Sequence, residues 1–400
     1  MRFQSVSLMF AKMLLWFFIG FSALLWLLTF GYLLILRGLA VFKRHVNHEK
    51  TDLPKIAVVI PTLNEEDRIL HKIEDISRSN YPKELINLVI VDGGSQDRTV
   101  DLVKEKISSG MKIKLIRLNG HHNKVDQVNH ILANQGEDII VFTDADSSLD
   151  PSCIKELVRA LTSDPRTALI GANVKPRTRF LEERIHWLLL NYFWWLEGEV
   201  FSSSGISGVC YAVNRSIFFT IAKDAVAEDI HLGLDISASG RRVRICRRAV
   251  AYELRVPRGS LEFIQYRRRR GASYVRELRH SSSYSRTPLG WKLARALRLC
   301  QFTWVSWIGL AAAVSGCFIL FSTAWPKVLV VGTVFLFSLI VLLRMLANHE
   351  QDKPGLITIV PAALRYAVLI LYSLFSIKTK PTHLGPIGGK EAHFGKCQTD

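Results

Sequence analysis

The chain has 400 residues, of which 49% are hydrophobic, and a formal net charge of +17 at pH 7. This length allows one large globular domain together with a membrane part. None of the six cysteines forms a C-x-x-C pair, which argues against a zinc site and favours reduced thiols in a reducing compartment.

The first predicted element is a membrane-spanning helix. No charged residue occurs in the 24 positions 13–36, between Lys12 and Arg37. At about 1.5 Å per residue, such a helix crosses the roughly 30 Å hydrocarbon core of a bilayer. The run is too long for the apolar part of a cleavable signal peptide, and no A-x-A site follows it. We therefore expect residues 1–42 to be a retained membrane anchor.

Strand and helix patterns alternate in the next part of the chain. Short apolar runs predict strands at 55–60, 88–91, 112–118, 138–142 and 168–174, and helical patterns lie at 64–77, 98–107 and 126–134. Thr62 and Glu65 fit a capping box at the start of the first of these helices. The alternation predicts an α/β fold with a Rossmann-like, mostly parallel sheet, which binds ligands at the carboxyl ends of its strands.

An aromatic-rich helix is predicted at 181–200, where Trp187, Trp194 and Trp195 lie among leucines. Such a helix suits a membrane interface, but burial in the domain explains it equally well. Between residues 240 and 280 there are thirteen arginines against three acids. Nucleic acid would attract this charge, but no recognition helix or zinc frame accompanies it. An anionic lipid surface is therefore the expected partner, and nucleic acid is not.

Further membrane segments follow near the C-terminus. Uncharged runs predict spans at 299–326 and 328–343, and a fourth candidate at 355–377 carries Arg365 near its middle. A charge inside a membrane span is costly. The last segment would therefore either cross the bilayer at that cost, lie at the interface or pack on the domain. Residues 298–378 thus form a region of two or three transmembrane helices, and 379–400 an irregular tail.

Basic residues predict the orientation of the chain in the membrane. Arg37 and Lys43 flank the first span, and Arg298 lies at the start of the second. Because positive flanks face the cytosol, residues 43–297 are expected to form a cytosolic domain that includes interfacial helices, within a multi-pass integral membrane protein.

Two acidic motifs follow predicted strands. Asp144 and Asp146 come directly after the strand at 138–142. If the chain is still extended there, both side chains point the same way, and two carboxylates so close favour a cation such as Mg²⁺ or Mn²⁺. Asp92 and two glycines follow the strand at 88–91. They would either accept a nucleotide or simply form a tight turn.

The ordered motifs resemble one enzyme family. The chain is similar to inverting, membrane-integrated family-2 glycosyltransferases of the GT-A fold, which include ceramide glucosyltransferase and cellulose, chitin and hyaluronan synthases. The similarity covers roughly 54–280, and its motifs are IPTLNEE at 60–66, VDGGSQD at 91–97, Lys124 with Asn129, TDADSS at 143–148, AEDIHLGLDI at 227–236, SGRRVR at 239–244 and QYRRRRG at 265–271.

The resemblance implies a donor site for a nucleotide sugar. By position, it assigns the nucleoside pocket to Pro61, Thr62 and Glu65 and the contact with the base to Asp92. Lys124 matches the lysine that approaches the donor diphosphate, and Asp144 the residue that contacts the ribose or sugar. Asp146 matches the metal ligand of the family, with Asp144 beside it, and Mg²⁺ or Mn²⁺ is the expected ion. A UDP-sugar is the expected donor, with a GDP-sugar as the alternative.

The resemblance also implies the catalytic groups. Asp229, in the Glu228-Asp229 pair, matches the general base of the family. Gln265 and Arg268 match its Q-x-x-R motif, in which the arginine steadies the leaving diphosphate. An ordinary helix N-terminus would also explain an acidic pair at 228–229.

Two departures from the family bear on the product. Gly93 replaces a second acidic residue, and Arg269 stands where processive synthases carry a tryptophan. The missing tryptophan favours transfer of one or a few sugars to a membrane-embedded, most simply lipid, acceptor, as in glycolipid biosynthesis. A processive polysaccharide synthase is the alternative.

Overall fold

The computed structural model describes residues 2–41, 52–120, 122–216, 220–280, 288–321, 325–347 and 356–375. Lys43 and the tail predicted at 379–400 lie outside these residues. All five cysteines in the described part are free, and three of them are buried.

One eight-stranded sheet forms the centre of the domain. Its strands are β1 (Ile56–Thr62), β2 (Ile86–Asp92), β3 (Ile113–Arg117), β4 (Ile139–Thr143), β5 (Ser147–Leu149), β6 (Thr167–Pro176), β7 (Cys210–Asn214) and β8 (Arg242–Glu253). They lie in the order β3-β2-β1-β4-β7-β6-β8-β5. Neighbours from β3 to β4 are parallel, as are β6 and β8, whereas β7 and β5 run antiparallel to their neighbours. The predicted α/β fold is confirmed, and the second half of its sheet is mixed.

Helices cover both faces of this sheet. In chain order they are α3 (Ile69–Ser77), α4 (Thr99–Ser108), α5 (Lys124–Asn134), α6 (Cys153–Thr162), α7 (Leu181–Val200), α8 (Glu228–Ala238) and α9 (Ser260–His280). The strand residues 56–60 and 139–142 are almost wholly buried. A strand covered on both faces needs continuous apolar sequence, which explains why β1 and β4 do not alternate.

The predicted capping box at Thr62 is wrong. Thr62 still pairs in β1, opposite Asp92 of β2, and its hydroxyl donates to the Val91 carbonyl at 3.1 Å. Asn64 then turns the chain with φ 57°, and α3 begins only at Ile69. A capping side chain accepts from amides two or three residues further along the chain. Thr62 lies seven residues before Ile69, too far to cap α3.

The aromatic-rich helix α7 is mostly buried, so burial in the domain is the alternative that holds. Trp187 and Trp194 are 1% and 5% exposed. The side chain of Asn191 exchanges hydrogen bonds with the backbone of Val174 in β6, at 2.7 and 3.4 Å. The helix lies between the sheet and the apolar helices of the chain, packing against β6, β8, α2 and α12.

Apolar helices precede and follow the domain. They are α1 (Arg2–Trp26) and α2 (Tyr32–Val41), joined by a π-helical turn at Leu27–Gly31, then α10 (Leu289–Leu320), α11 (Trp325–Ala347) and α12 (Leu356–Phe375). In the described part, three segments are long and apolar enough to cross a membrane: Met9–Val41, Leu289–Leu320 and Trp325–Arg344. Their outer faces expose large apolar side chains such as Trp16, Trp307 and Phe337. An exposed apolar surface of this size is unfavourable in water.

The fourth apolar segment packs on the domain. In α12, Ala362 and Ala363 are buried against Ile185 of α7. The Arg365 guanidinium donates to the Glu182 carboxylate at 2.6 Å, so the charge that complicated the sequence prediction has a partner on α7. The apolar part of this helix, Thr358–Leu374, is shorter than the other three spans.

A buried ion pair joins the domain to the first C-terminal span. Arg298 of α10 and Glu197 of α7 approach to 3.3 Å, with side chains 5% and 0% exposed. Tyr32 of α2 donates to the same carboxylate at 2.8 Å, and Ser204 also donates to it. Helix α10 starts at Leu289, directly after Pro288 and ten residues before the predicted uncharged run, so Arg298 lies inside the helix.

The π-helical turn makes a further contact between spans. The side-chain amide of Gln301 on α10 donates to the carbonyl of Leu28 inside this turn, at 2.6 Å. Beside it, the Trp26 indole donates to Ser338 of α11 at 2.9 Å. Side chains thus hydrogen-bond the first span to both C-terminal ones.

Candidate active site

The predicted donor residues gather at one edge of the sheet. Thr62 and Asp92 end β1 and β2, and Asp144 follows β4, which pairs directly with β1. Because these neighbouring strands are parallel, their carboxyl ends meet, as the sequence predicted.

Lys124 connects the donor motif to the acidic pair at 228–229. Its ammonium lies 2.6 Å from an Asp144 oxygen and 2.6 Å from a Glu228 oxygen. Lys124 is the first residue of α5, where a capping box between Asn123 and Asp126 fixes the helix start. Desolvation lowers the pKa of Lys124, but the nearby carboxylates outweigh it and raise that pKa well above its usual value.

Asp229 lies in the first turn of α8, beside Lys124. Burial is the main cause that raises its pKa to about 7, and the charge of Glu228 adds to it, while Lys124 opposes. One carboxylate oxygen accepts from the Ile230 amide at 2.8 Å. The other faces Gly208, where an added Cβ would lie 3.1 Å from it. A carboxylate with this pKa accepts a proton near neutral pH, which suits a general base.

The acidic motif after β4 forms a turn, so the predicted extended arrangement is wrong. Asp144 binds Lys124, whereas Asp146 lies 3.2 Å from the Arg255 guanidinium. The Ser147 hydroxyl donates to the Asp144 carbonyl at 2.8 Å and closes the turn. Beneath it, the fully buried Lys72 ammonium donates to the same hydroxyl oxygen at 3.0 Å.

The acidic turn carries two carboxylates, those of Asp144 and Asp146, and each is paired with a cationic side chain. Burial and the charge of Asp146 raise the pKa of Asp144 to about 6, against the effect of Lys124. The same two causes raise the pKa of Glu65. Mg²⁺ often binds one or two carboxylates and takes its other ligands from substrate phosphates and water. Within the described ranges no three His, Cys, Asp or Glu side chains form a complete cage, so phosphate oxygens would supply the remaining ligands.

The predicted nucleoside residues have structural partners of their own. The buried Asp92 carboxylate accepts from the amides of Gly94 and Ser95 at 3.1–3.2 Å, which is the tight-turn alternative of the sequence analysis. The backbone amide of Thr62 donates to the buried Gln127 side chain at 2.9 Å. Half-buried Pro61 and Glu65 lie on either side of Thr62 in sequence. These contacts fix the backbone on both sides of the glycine turn.

Close packing explains why residue 93 is a glycine. An added Cβ would collide with the Gln127 amide and with the backbone carbonyl of His122. The Gly93 carbonyl in turn accepts from the His122 amide at 2.8 Å. An acidic side chain, as in the family pattern, has no room here because the loop before α5 fills the space.

Two arginines at the site were missed by the sequence analysis. Arg255, after β8, lies 3.2 Å from Asp146 and 3.9 Å from Glu65. Arg270 on α9 donates to Glu253 at 2.7 Å, and its charge lowers the pKa of Asp229. Because β8 runs in the same direction as β1 and β4, the residues after it reach the same sheet edge. The direction of β8 in the sheet is the observation that would have identified Arg255 as a site residue.

The predicted Q-x-x-R residues lie on α9. Gln265 is exposed and Arg268 is half-buried. Arg270, two positions after Arg268, is an α9 arginine whose charge acts on Asp229. Arg269, at the position of the family tryptophan, lies over the Tyr266 ring at 5.6 Å.

Comparison with known proteins agrees with this geometry. Residues 57–225 match the profile described as Glycosyl transferase family 2. These residues form a family-2 glycosyltransferase domain. The match includes β1 to β7 and the acidic turn, and it ends just before Glu228 and Asp229.

Curated relatives of this glycosyltransferase domain are distant. "Probable glycosyltransferase YdaM" of Bacillus subtilis is 26% identical over 256 residues, which is 59% of this chain and 61% of the relative. The "Dolichyl N-acetyl-alpha-D-glucosaminyl phosphate 3-beta-D-2,3-diacetamido-2,3-dideoxy-beta-D-glucuronosyltransferase" of Methanococcus voltae is 26% identical over 167 residues, 38% of this chain and 52% of the relative. The chain therefore spans between half and two thirds of the length of these relatives.

A solved structure shares the fold over almost the whole length. The mannosyltransferase PcManGT of Pyrobaculum calidifontis, in complex with GDP-Man and Mn²⁺, matches with a TM-score of 0.65 and 19% identity. The match covers 90% of this chain and 99% of that one. The GT-A fold of the glycosyltransferase domain is thus confirmed.

The packing around Gly93 generates a stability prediction. Gly93→Ala should lower the free energy of unfolding by about 1–3 kcal/mol, because overpacking forces the His122 backbone to move. Nucleotide affinity should fall as well, since His122 precedes the helix that carries Lys124. Thermal unfolding in detergent and nucleotide titration measure both effects.

Gly136→Ala is the matched control for this change. Gly136 is exposed, and an added Cβ there meets nothing within 4 Å. Both quantities should stay near wild type in the control. Equal behaviour of the two variants would contradict the packing explanation.

Proposed function

We propose that the protein is an inverting, metal-dependent glycosyltransferase that moves a sugar from a nucleoside diphosphate sugar to a membrane-embedded lipid, with Asp229 as general base. The observation that carries this proposal is the position of Asp229. Its pKa is about 7, and Lys124 lies between it and the acidic turn at the strand edge. The ammonium of Lys124 thus links a proposed donor residue, Asp144, to Glu228, the neighbour of the proposed base.

The donor is proposed to bind at the carboxyl ends of β1, β2 and β4. Pro61, Thr62, Glu65 and Asp92 would form the nucleoside pocket, and Lys124 and Asp144 would contact the diphosphate and sugar. Asp146, with Asp144, would hold Mg²⁺ or Mn²⁺, and the bound ion would add positive charge at the diphosphate. UDP is the expected carrier and GDP the alternative; PcManGT supports the second, since it was solved with GDP-Man.

The proposed reaction is a direct displacement. The acceptor hydroxyl oxygen forms a bond to the anomeric carbon as the bond from that carbon to the diphosphate breaks, which inverts the configuration. Asp229 takes the hydroxyl proton, and Glu228 helps to keep the pKa of Asp229 high enough for that task. Positive charge from Arg255, Arg270 and the proposed Arg268, with Gln265 beside it, favours departure of the diphosphate.

A membrane acceptor is proposed because the catalytic part and the spans are one packed unit. The ion pair of Glu197 with Arg298 joins α7 to α10, and Arg365 of α12 reaches Glu182. Basic flanks support a cytosolic position for the proposed catalytic part, residues 43–297. Arg269 in place of a stacking tryptophan supports transfer of a single sugar or a few.

Turnover should depend on Asp229. With radiolabelled nucleotide sugars, native lipids and Mg²⁺ or Mn²⁺, the wild-type protein in detergent should produce a labelled lipid in the organic phase. Asp229→Asn should reduce this product by about 10²-fold or more, because the base is lost, while the donor Kd stays within about twofold. Thin-layer chromatography and nucleotide titration measure the two quantities.

Asp235→Asn, the same change two turns later in α8, is the control and should remain active. Near-normal turnover by Asp229→Asn would remove Asp229 as base. Label confined to high-molecular-weight aqueous material would instead favour a processive synthase. Release of pyrophosphate rather than nucleoside diphosphate would indicate a nucleotidyltransferase.

The pH profile should report the raised pKa of Asp229. Because a base with a pKa of about 7 is protonated below that value, kcat/KM should fall about tenfold per pH unit on the acid side of pH 7. Glu228→Gln should move this acid limb to lower pH, since the Glu228 charge is a cause of the raised pKa. A limb that stays in place or moves to higher pH in this variant would contradict the coupling.

Metal-dependent nucleotide binding should require Asp146. Asp146→Ala removes a hard oxygen ligand. The affinity of the protein for Mn²⁺, measured in the presence of nucleoside diphosphate, should therefore fall by about tenfold or more. Electron paramagnetic resonance of free Mn²⁺ measures this directly. Arg255→Gln is the control, since it removes the competing cation and leaves the carboxylate, and should bind Mn²⁺ at least as tightly as wild type. Unchanged binding by Asp146→Ala would refute the ligand assignment.

A further inference from the structure

The loop before α8 is fixed from two sides. The side chain of Asn129 on α5 donates to the Ile221 carbonyl at 2.8 Å and accepts from the Ile221 amide at 2.9 Å. Three residues further on, Arg276 of α9 donates to the Asp224 carbonyl at 3.0 Å. The loop therefore enters α8 along a path that α5 and α9 determine.

The next residue of α9, Glu277, contacts the start of α8 directly. Its side chain is 2% exposed. One carboxylate oxygen accepts from the backbone amides of Val226 and Ala227, at 2.7 and 3.3 Å. The other lies 2.7 Å from the Nδ1 atom of His231. These contacts lie on both sides of Glu228 and Asp229 in the sequence.

The N-cap residue of helix α8 is Ala227, which makes no side-chain hydrogen bond. Within the first turn, the Asp229 carboxylate accepts from a helix amide, that of Ile230. A helix start without an N-cap side chain is prone to fray, because amides of its first turn lack partners. Glu277 binds the backbone at this point from another helix, and its negative charge also suits the positive end of the α8 dipole.

His231 adds an ion pair to this contact. Its hydrogen bond to Glu277 is the main cause that raises the pKa of His231, and the charge of Asp235, 3.4 Å away, adds to it. His231 lies on α8 itself, two residues after Asp229. Rotation of the first turn of α8 would therefore break the pair with Glu277.

We infer that Glu277 is a positioning residue that fixes the first turn of α8, and with it the Asp229 carboxylate beside Lys124 and Gly208. This inference rests on the proposed function, in which Asp229 is the base. Helix α9 also carries Arg268 and Arg270, whose positive charge is proposed to favour departure of the diphosphate. One helix would therefore both position the base and stabilise the leaving group. A residue that acts in this way affects turnover more than donor binding, because misplacement by about 1 Å can cost about 10²-fold in rate.

Two substitutions at Glu277 separate positioning from bulk stability. Glu277→Ala removes both contacts, and its kcat should fall by about 10- to 100-fold with donor KM and nucleotide Kd within about twofold of wild type. Glu277→Gln keeps an oxygen that accepts from the Val226 and Ala227 amides, so it should recover kcat to within about fivefold. Glu262→Ala, the same change at an exposed residue near the start of α9, is the control and should stay within about twofold of the wild-type kcat.

The outcomes distinguish this inference from the proposed function. Wild-type kcat in Glu277→Ala, with Asp229→Asn inactive, would overturn the positioning role and leave the base assignment standing. An active Asp229→Asn would overturn the base assignment itself. Equal losses in Glu277→Ala and Glu277→Gln, or a parallel loss of nucleotide binding, would also refute positioning through the backbone.

If Glu277→Ala does not fold, His231→Asn provides the test. It removes only the ion pair, so its kcat should fall about three- to tenfold with nucleotide Kd unchanged. Wild-type kcat in His231→Asn would then overturn the inference. Thermal unfolding of each variant identifies those that fold.

Discussion

Carboxylates gathered at one sheet edge need positive charge, and the site is organised around that requirement. Asp144 and Glu228 share the ammonium of Lys124, while Asp146 and Glu65 share the guanidinium of Arg255. Like charges this close would repel one another without such partners. The cations come from α5 and from the end of β8, so the site is complete only when elements distant in sequence have packed together.

The fold and the acidic half of the site were predictable from sequence, because both depend on local patterns. Apolar runs fix β1 and β4, and the polar turns that follow them place Asp92 and Asp144 at one edge. The partners of these residues were not predictable. Thr62 ends β1 and lies seven residues before α3, and Arg255 reaches Asp146 only because β8 runs parallel to β6. Such contacts depend on tertiary packing that no local pattern encodes.

Helix α7 couples the domain to the apolar helices through buried acids. Glu182 and Glu197 form ion pairs with Arg365 and Arg298 of two different C-terminal helices, and Tyr32 of α2 donates to Glu197. A buried ion pair adds little net stability, but removal of one partner leaves an uncompensated charge at a large cost. The pair of Glu197 with Arg298 is buried on both sides and therefore specifies how α10 packs on the domain, whereas Arg365 is largely exposed. An aromatic-rich, acidic helix is buried here because its acids have cationic partners, which the sequence pattern could not show.

The π-helical turn in the first span sets the angular phase of that helix. Each residue of an α-helix advances the chain by about 100° around the axis. A π turn holds one more residue per hydrogen-bonded ring than an α turn, so Leu27–Gly31 offsets the faces before and after it. Phe18 faces Gly316 of α10 on one side of the turn, and Tyr32 faces Glu197 on the other. Deletion of a single residue in this turn would let only one of these faces keep its partner, although the helix would remain long enough to cross the bilayer.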